Sequence, residues 1–135
     1  MKNLKAAVLS QCADIRPASA SDIEELQTSL GFSLSNEYLE YLTEFGVIAY
    51  EAYETYGLGV PRSSFLHVFN AYQDLSKDKT YPSKSVPILE LGDGHYFLYD
   101  NLNCKVILWA TPNGGVVREL EENLEYFLLK RIFND

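Results

Sequence analysis

Between Val86 and Gly115 the chain reads VPILELGDGHYFLYDNLNCKVILWATPNGG, three apolar runs separated by GDG, DNLN and TPNGG. Runs of five or six apolar and aromatic residues are strand-length. Glycine, asparagine and Asp-Gly between them are turn chemistry, because these residues accept positive φ at low steric cost. Strands joined by turns this short must pair antiparallel. The spacing therefore predicts a meander of Val86–Leu91, His95–Asp100 and Lys105–Ala110, with a short fourth strand at Val116–Val117.

The flanking segments change period. Near the amino end, MKNLKAAVLSQCADIR predicts a short amphipathic helix on Leu4, Ala7 and Val8. In ASASDIEELQTSLGF, Ser21 with Glu24 three residues on has the form of a capping box. Ile23, Leu26 and Leu30 then share a face, and Gly31 suits a left-handed C-terminal cap. A second helix, capped by Ser33 or Ser35, turns Tyr38, Leu39, Leu42 and Phe45 inward and ends at Gly46. A third begins near Ser63 and uses Phe65, Val68, Phe69 and Tyr72. VRELEENLEYFLLKRIF closes the chain as a helix on Leu120, Leu124, Phe127, Leu128 and Ile132, with Lys130 and Arg131 in its last turn, where the helix dipole favours cations. The expected architecture is α+β: an antiparallel meander with helices packed against it, N-terminal helices before it and a closing helix after it, in one domain spanning 1–135.

A hydrophobic fraction of 47% with 22% charged residues is globular composition. No apolar run approaches the roughly 20 residues of a membrane span, and polar residues interrupt the N-terminal stretch too early for an export signal. A cytoplasmic location is expected. Cys12 and Cys104 form no C-x-x-C pair, so no structural metal is signalled; two buried, reduced thiols are the favoured reading and a single disulfide the alternative.

The chain has 19 acids and 11 bases. Asp22, Glu24, Glu25, Glu37, Glu40, Glu44, Glu51 and Glu54 lie between Pro17 and Pro61, where no lysine or arginine occurs. That third of the sequence alone carries charge equal to the whole net charge of −8. Phosphate would be repelled, so nucleic acid is not an expected ligand.

Catalytic constellations are absent from the sequence. There is no G-x-S-x-G elbow and no S-x-x-K, and GLG in YGLGV lacks the spacing of a dinucleotide loop. His67, in FLHVF, reads as structural. Asp93 and His95 flank a turn, and one pair does not make converging ligands. A small hydrolase built on Asp93, His95 and Asp100 is the competing enzymatic reading. No cofactor is expected.

The distinctive stretch is Glu37–Tyr56, which holds five of the ten tyrosines. In AYEAYETYG, Tyr50, Tyr53 and Tyr56 recur every third residue with Glu51 and Glu54 among them, a period that fits one ridge of a helix. Tyrosine gives a large contact area with few rotors and a hydroxyl to pair. Neighbouring carboxylates steer a basic partner. Glu40, Glu44, Tyr50, Glu51, Tyr53, Glu54 and Tyr56 are thus candidate partner-binding residues. Tyrosines packed beneath the sheet, with glutamates serving solubility, fit the same pattern, and periodicity does not separate the two.

DIEELQTSLGFSLSNEYLEYLTEFG resembles the opening signature of the SUKH superfamily, the Smi/Knr-like domains, through Leu30, Gly31, Leu34, Tyr38, Tyr41, Leu42 and Gly46. Ser35 and Phe45 stand where that signature has proline and asparagine. Pro87, Gly92, Gly94, Tyr99, Asp100, Val106 and Trp109 match its strand pair, and LEENLEYFLLKRI is similar to its closing helix. The resemblance implies an α+β domain without catalysis. In bacteria it implies an immunity protein that binds a secreted toxin, often a nuclease or other polymorphic or contact-dependent effector. Contact residues vary with the toxin, so none carries over. An adaptor or scaffold domain for a cellular partner is the alternative. Oligomeric state stays open.

Overall fold

The computed structural model describes residues 1–134. In chain order the elements are α1 (Lys2–Ser10), β1 (Asp14–Ile15), α2 (Ala20–Leu30), α3 (Asn36–Glu44), β2 (Ile48–Tyr50), β3 (Tyr53–Glu54), α4 (Val68–Leu75), β4 (Ser85–Gly92), β5 (His95–Asp100), β6 (Lys105–Ala110), β7 (Gly115–Glu119) and α5 (Leu124–Phe133). The meander forms one antiparallel sheet in the order β4-β5-β6-β7, and a smaller sheet has the order β1-β2-β3. This is the α+β architecture expected, with helices against a meander.

Turn chemistry sets the register. Gly92, Asp93 and Gly94 all have positive φ, which closes the β4–β5 hairpin. At the β5–β6 turn the Asp100 carboxylate accepts the Leu102 amide at 2.8 Å and the Asn103 amide at 3.3 Å, an Asx-type turn. Asp100 is a turn residue, not a solvent-facing acid.

Alternation along the strands buries both faces of the sheet. Phe97, Tyr99 and Val106 point into the main core with Leu4, Tyr38, Tyr41, Leu42, Phe127 and Leu128 of the helices. Leu98, Ile107 and Trp109 point the other way, beneath Leu75 of α4 and Tyr81. The Trp109 indole N–H donates to the Thr80 carbonyl and hydroxyl at 3.2 and 3.1 Å. The loop after α4 is thereby pinned across that second face. The two sheets also meet: the Tyr56 amide donates to the Ile88 carbonyl at 2.9 Å, where β4 is irregular between Pro87 and Leu89. The β2–β3 hairpin therefore lies beside β4.

Several boundaries differ from the expectation. Ser19, not Ser21, caps α2, accepting the Asp22 amide at 3.1 Å, because the helix already begins at Ala20. Ser35 caps α3. α4 starts at Val68 with the His67 ring as its cap, which leaves Phe65 outside the helix and 71% exposed. Residues 117–119 extend β7 rather than opening the last helix, and Asn123 caps α5. Tyr50, Tyr53 and Tyr56 form no helical ridge. Tyr50 and Tyr53 are cross-strand partners about a two-residue turn, and i to i+3 across such a turn imitates a helical period. Cys12 and Cys104 are both exposed, not buried; each occupies a left-handed turn position at the surface. Among the described residues no helix is long and apolar enough to cross a membrane.

Candidate partner-binding face

The β2–β3 hairpin is fixed from beneath. The buried Thr55 hydroxyl accepts the Ile48 amide at 2.8 Å and lies 2.6 Å from the Tyr41 hydroxyl, which donates to the Tyr56 carbonyl at 2.9 Å. Tyr41 of α3 thus holds the hairpin base with a fully buried network. Burial pushes its phenol well above the ordinary range. Above this base the chain reverses at Glu51 and Ala52, both exposed. Glu51 has φ of 53°, a left-handed conformation that L residues other than Asn and Asp seldom adopt.

The seven candidate residues separate into three places. Tyr50, Glu51, Tyr53 and Glu54 come together at the hairpin. The Tyr50 hydroxyl donates to Gln11 Oε1 at 3.0 Å, and its ring lies 5.0 Å from that of Phe133. Both tyrosines are half-buried, while Glu51 and Glu54 face solvent. Glu40 and Glu44, on α3, instead meet the Met1 ammonium, Glu40 by direct hydrogen bond and Glu44 at 3.5 Å. That hydrogen bond, foremost, raises the amine and lowers the Glu40 carboxyl from their ordinary ranges. Tyr56 points inward and is only 8% exposed. It is a core residue, its phenol pushed up first by burial and then by Glu90.

Nor is the surroundings' charge uniform. A cleft of about 600 Å³ between the hairpin and α5 is lined by Tyr50, Glu51 and Tyr53 on one side and by Arg118, Lys130 and Arg131 on the other. Lys130 pairs with Glu122 at 3.9 Å. The Arg131 guanidinium sits 4.8 Å above the Phe97 ring. These bases come from the charge-balanced remainder of the sequence, and composition by segment gave no signal that they fold against the acidic hairpin.

Neither histidine joins a convergent group. His67 Nδ1 accepts the Phe69 amide at 3.3 Å, and burial, foremost, lowers the ring's basicity. His95 Nδ1 lies 3.0 Å from the Asp93 carbonyl. Among the described residues, no three His, Cys, Asp or Glu side chains gather as metal ligands would.

A crystal structure described as that of a protein from Pseudomonas syringae pv. tomato has the same fold, with a TM-score of 0.82 at 12% identity over 100% of both chains. No curated protein matches. The family model SUKH_5, described as SMI1-KNR4 cell-wall, matches residues 1–134. The chain belongs to the SMI1-KNR4 family of the SUKH superfamily.

Proposed function

We propose that this chain is a cytoplasmic immunity protein that neutralises a cognate secreted toxin by equimolar binding, without turnover. The observation that carries the reading is the hairpin tip. Glu51 projects there from a left-handed φ where glycine or asparagine is the unstrained choice, as do six other non-glycine residues among those described. Tyr50 and Tyr53 flank it as rigid aromatic contacts. Glu51 and Glu54 make no ion pair among the described residues, and the bases across the cleft, Arg118, Lys130 and Arg131, offset their field only in part.

The partner presents a basic surface, as a nuclease does around its substrate channel. Acidic steering then speeds encounter and discriminates against other partners. Glu40 and Glu44 add to the long-range field, partly offset by the Met1 ammonium, and Tyr56 supports the hairpin without touching the partner.

Coexpression with the product of the adjacent gene tests the reading. Survival of the host and equimolar copurification are the expected result. Killing despite abundant folded protein, with no complex, overturns it.

A further inference from the structure

A second cleft, of about 480 Å³, opens where the hairpin meets β4. Tyr53, Glu54, Phe65, Glu90, Leu91 and Arg131 are among its lining. Its composition is unusual for a surface hollow. Phe65 is 71% and Leu91 48% exposed, two large apolar side chains that a lone solvated domain gains nothing by displaying together. Glu54 and Glu90 are both exposed beside them, and neither has an ion-pair partner among the described residues. Arg131 is the cation within reach, yet its guanidinium lies over the Phe97 ring. The juxtaposition is built by the backbone: the Tyr56 amide to Ile88 carbonyl bond sets Glu54, two residues before the donor, near Glu90, two residues after the acceptor.

We infer that this cleft receives a basic segment of the partner protein, one lysine or arginine lying between Glu54 and Glu90 and an adjacent apolar side chain covering Phe65 and Leu91. The inference deepens the immunity reading and rests on it for the identity of the partner. Charge selects this occupant. A second copy of a chain with net charge −8 brings repulsion to the same spot, as do nucleic acid and anionic lipid. A purely apolar segment would leave the two carboxylates facing a desolvated interface. The cleft adds Phe65 and Leu91 to the tyrosine contacts of the hairpin, and apolar anchors in a partly enclosed hollow are what slow dissociation.

Two measurements separate this inference from the reading beneath it. In the first, the acetylated, amidated peptide Arg-Leu-Lys-Leu-Arg is titrated into the isotopically labelled protein, with Glu-Leu-Glu-Leu-Glu as control. Amide shifts confined to residues 51–54, 64–67 and 89–92, weakened by salt and abolished in Glu54→Lys/Glu90→Lys, support the cleft. Shifts elsewhere, no shifts, or equal shifts with the acidic peptide overturn it. In the second, binding of Phe65→Ser and Leu91→Ser to the toxin is measured by surface plasmon resonance after circular dichroism shows an unchanged fold. A tenfold or greater loss of toxin affinity, seen as faster dissociation, is expected. Undiminished affinity overturns the cleft while leaving the immunity reading standing. A toxin that wild-type protein does not bind removes the immunity reading, and the peptide titration still decides the cleft. Concentration-dependent dimerisation abolished by Phe65→Ser assigns the cleft to a second copy and overturns the basic partner.

Discussion

The Glu37 carboxylate of α3 accepts the Leu124 backbone amide at the start of α5 at 3.1 Å, while its other oxygen accepts the Tyr99 hydroxyl at 2.8 Å. The device recurs one helix on: Glu125 of α5 accepts the Leu4 amide in the first turn of α1 at 3.0 Å. The first amides of a helix have no intrahelical partner and carry the positive end of its dipole. A carboxylate from a neighbouring helix satisfies both demands and fixes how the helices pack. Removing Glu37 strands a part-buried amide and leaves the Tyr99 phenol with the Ser35 hydroxyl, at 2.8 Å, as its remaining partner. Glu37→Ala is expected to lower stability by about 1–3 kcal/mol, and Glu37→Gln by less, because an amide oxygen still accepts. Urea unfolding measures both. A Glu37→Ala midpoint equal to wild type would show that the contact contributes nothing.

Gly57 owes its identity to space rather than to φ. A Cβ there would lie 1.5 Å from the Gly46 carbonyl oxygen, and one at Gly59 would lie 1.8 Å from the Arg16 carbonyl oxygen. The segment YGLGV is where three backbone stretches cross. At Gly31, by contrast, φ is 79° with nothing within 4 Å. Gly57→Ala is expected to cost about 3 kcal/mol or more by overpacking against backbone. Gly31→Ala should cost about 1 kcal/mol, from conformation alone. Asparagine, which tolerates the left-handed region, should recover part of the loss at Gly31 and none at Gly57. Thermal melts of the four variants distinguish the two causes.

How far the sequence foretold this depends on whether an element's cause is local. The β4–β7 strands and the Gly31 cap were legible because turn residues and alternation act within a few positions. The β2–β3 hairpin was not, since its three-residue tyrosine spacing is shared by a helix ridge and by two strands about a two-residue turn. What decides between them is the Thr55–Tyr41 network, contributed by residues fourteen apart. The charge pattern misled similarly. Glu37, Glu40 and Glu44 are contiguous with Glu51 and Glu54 in sequence, but α3 directs Glu37 to helix packing and the other two to the Met1 ammonium. Phe65 and Leu91 join the hairpin only through tertiary contact, which no window along the chain reveals.

Asp78 ties the loop after α4 to the β6–β7 turn. Its carboxylate accepts the Thr80 amide and hydroxyl at 2.8 Å, the Thr111 hydroxyl at 2.6 Å and the Asn113 amide at 2.8 Å. These bonds, that from Thr111 foremost, favour the charged form and hold the carboxyl far below its usual range. The folded state therefore binds this proton less readily than the unfolded chain. The stabilisation from Asp78 is complete above the ordinary carboxylate range and is lost as pH falls below it. Asp78→Asn should flatten the acid limb of a stability-versus-pH curve between pH ~5 and ~2 and leave wild type and variant closest at the acid end. An unchanged acid limb would mean that other carboxylates govern acid unfolding.

Glu51 separates the demands of folding from those of binding. Its φ of 53° costs an ordinary L residue about 1 kcal/mol relative to glycine, and its exposed side chain makes no ion pair among the described residues to offset that. For the fold alone, glycine is the better residue at this turn. Glu51→Gly is therefore expected to raise the melting temperature, by an amount equivalent to about 1 kcal/mol or somewhat less after the greater entropy of unfolded glycine. The same substitution removes one steering charge, so association with the basic partner should slow severalfold at low salt and converge on wild type at high salt, where exposed charges are screened. Glu24→Gln on α2 makes the same change in net charge away from the tip and should do neither. Stopped-flow association beside differential scanning calorimetry reads both quantities on one set of proteins. A Glu51→Gly variant that is more stable and associates as fast as wild type would assign the strain to chance and move the contact surface away from the hairpin tip.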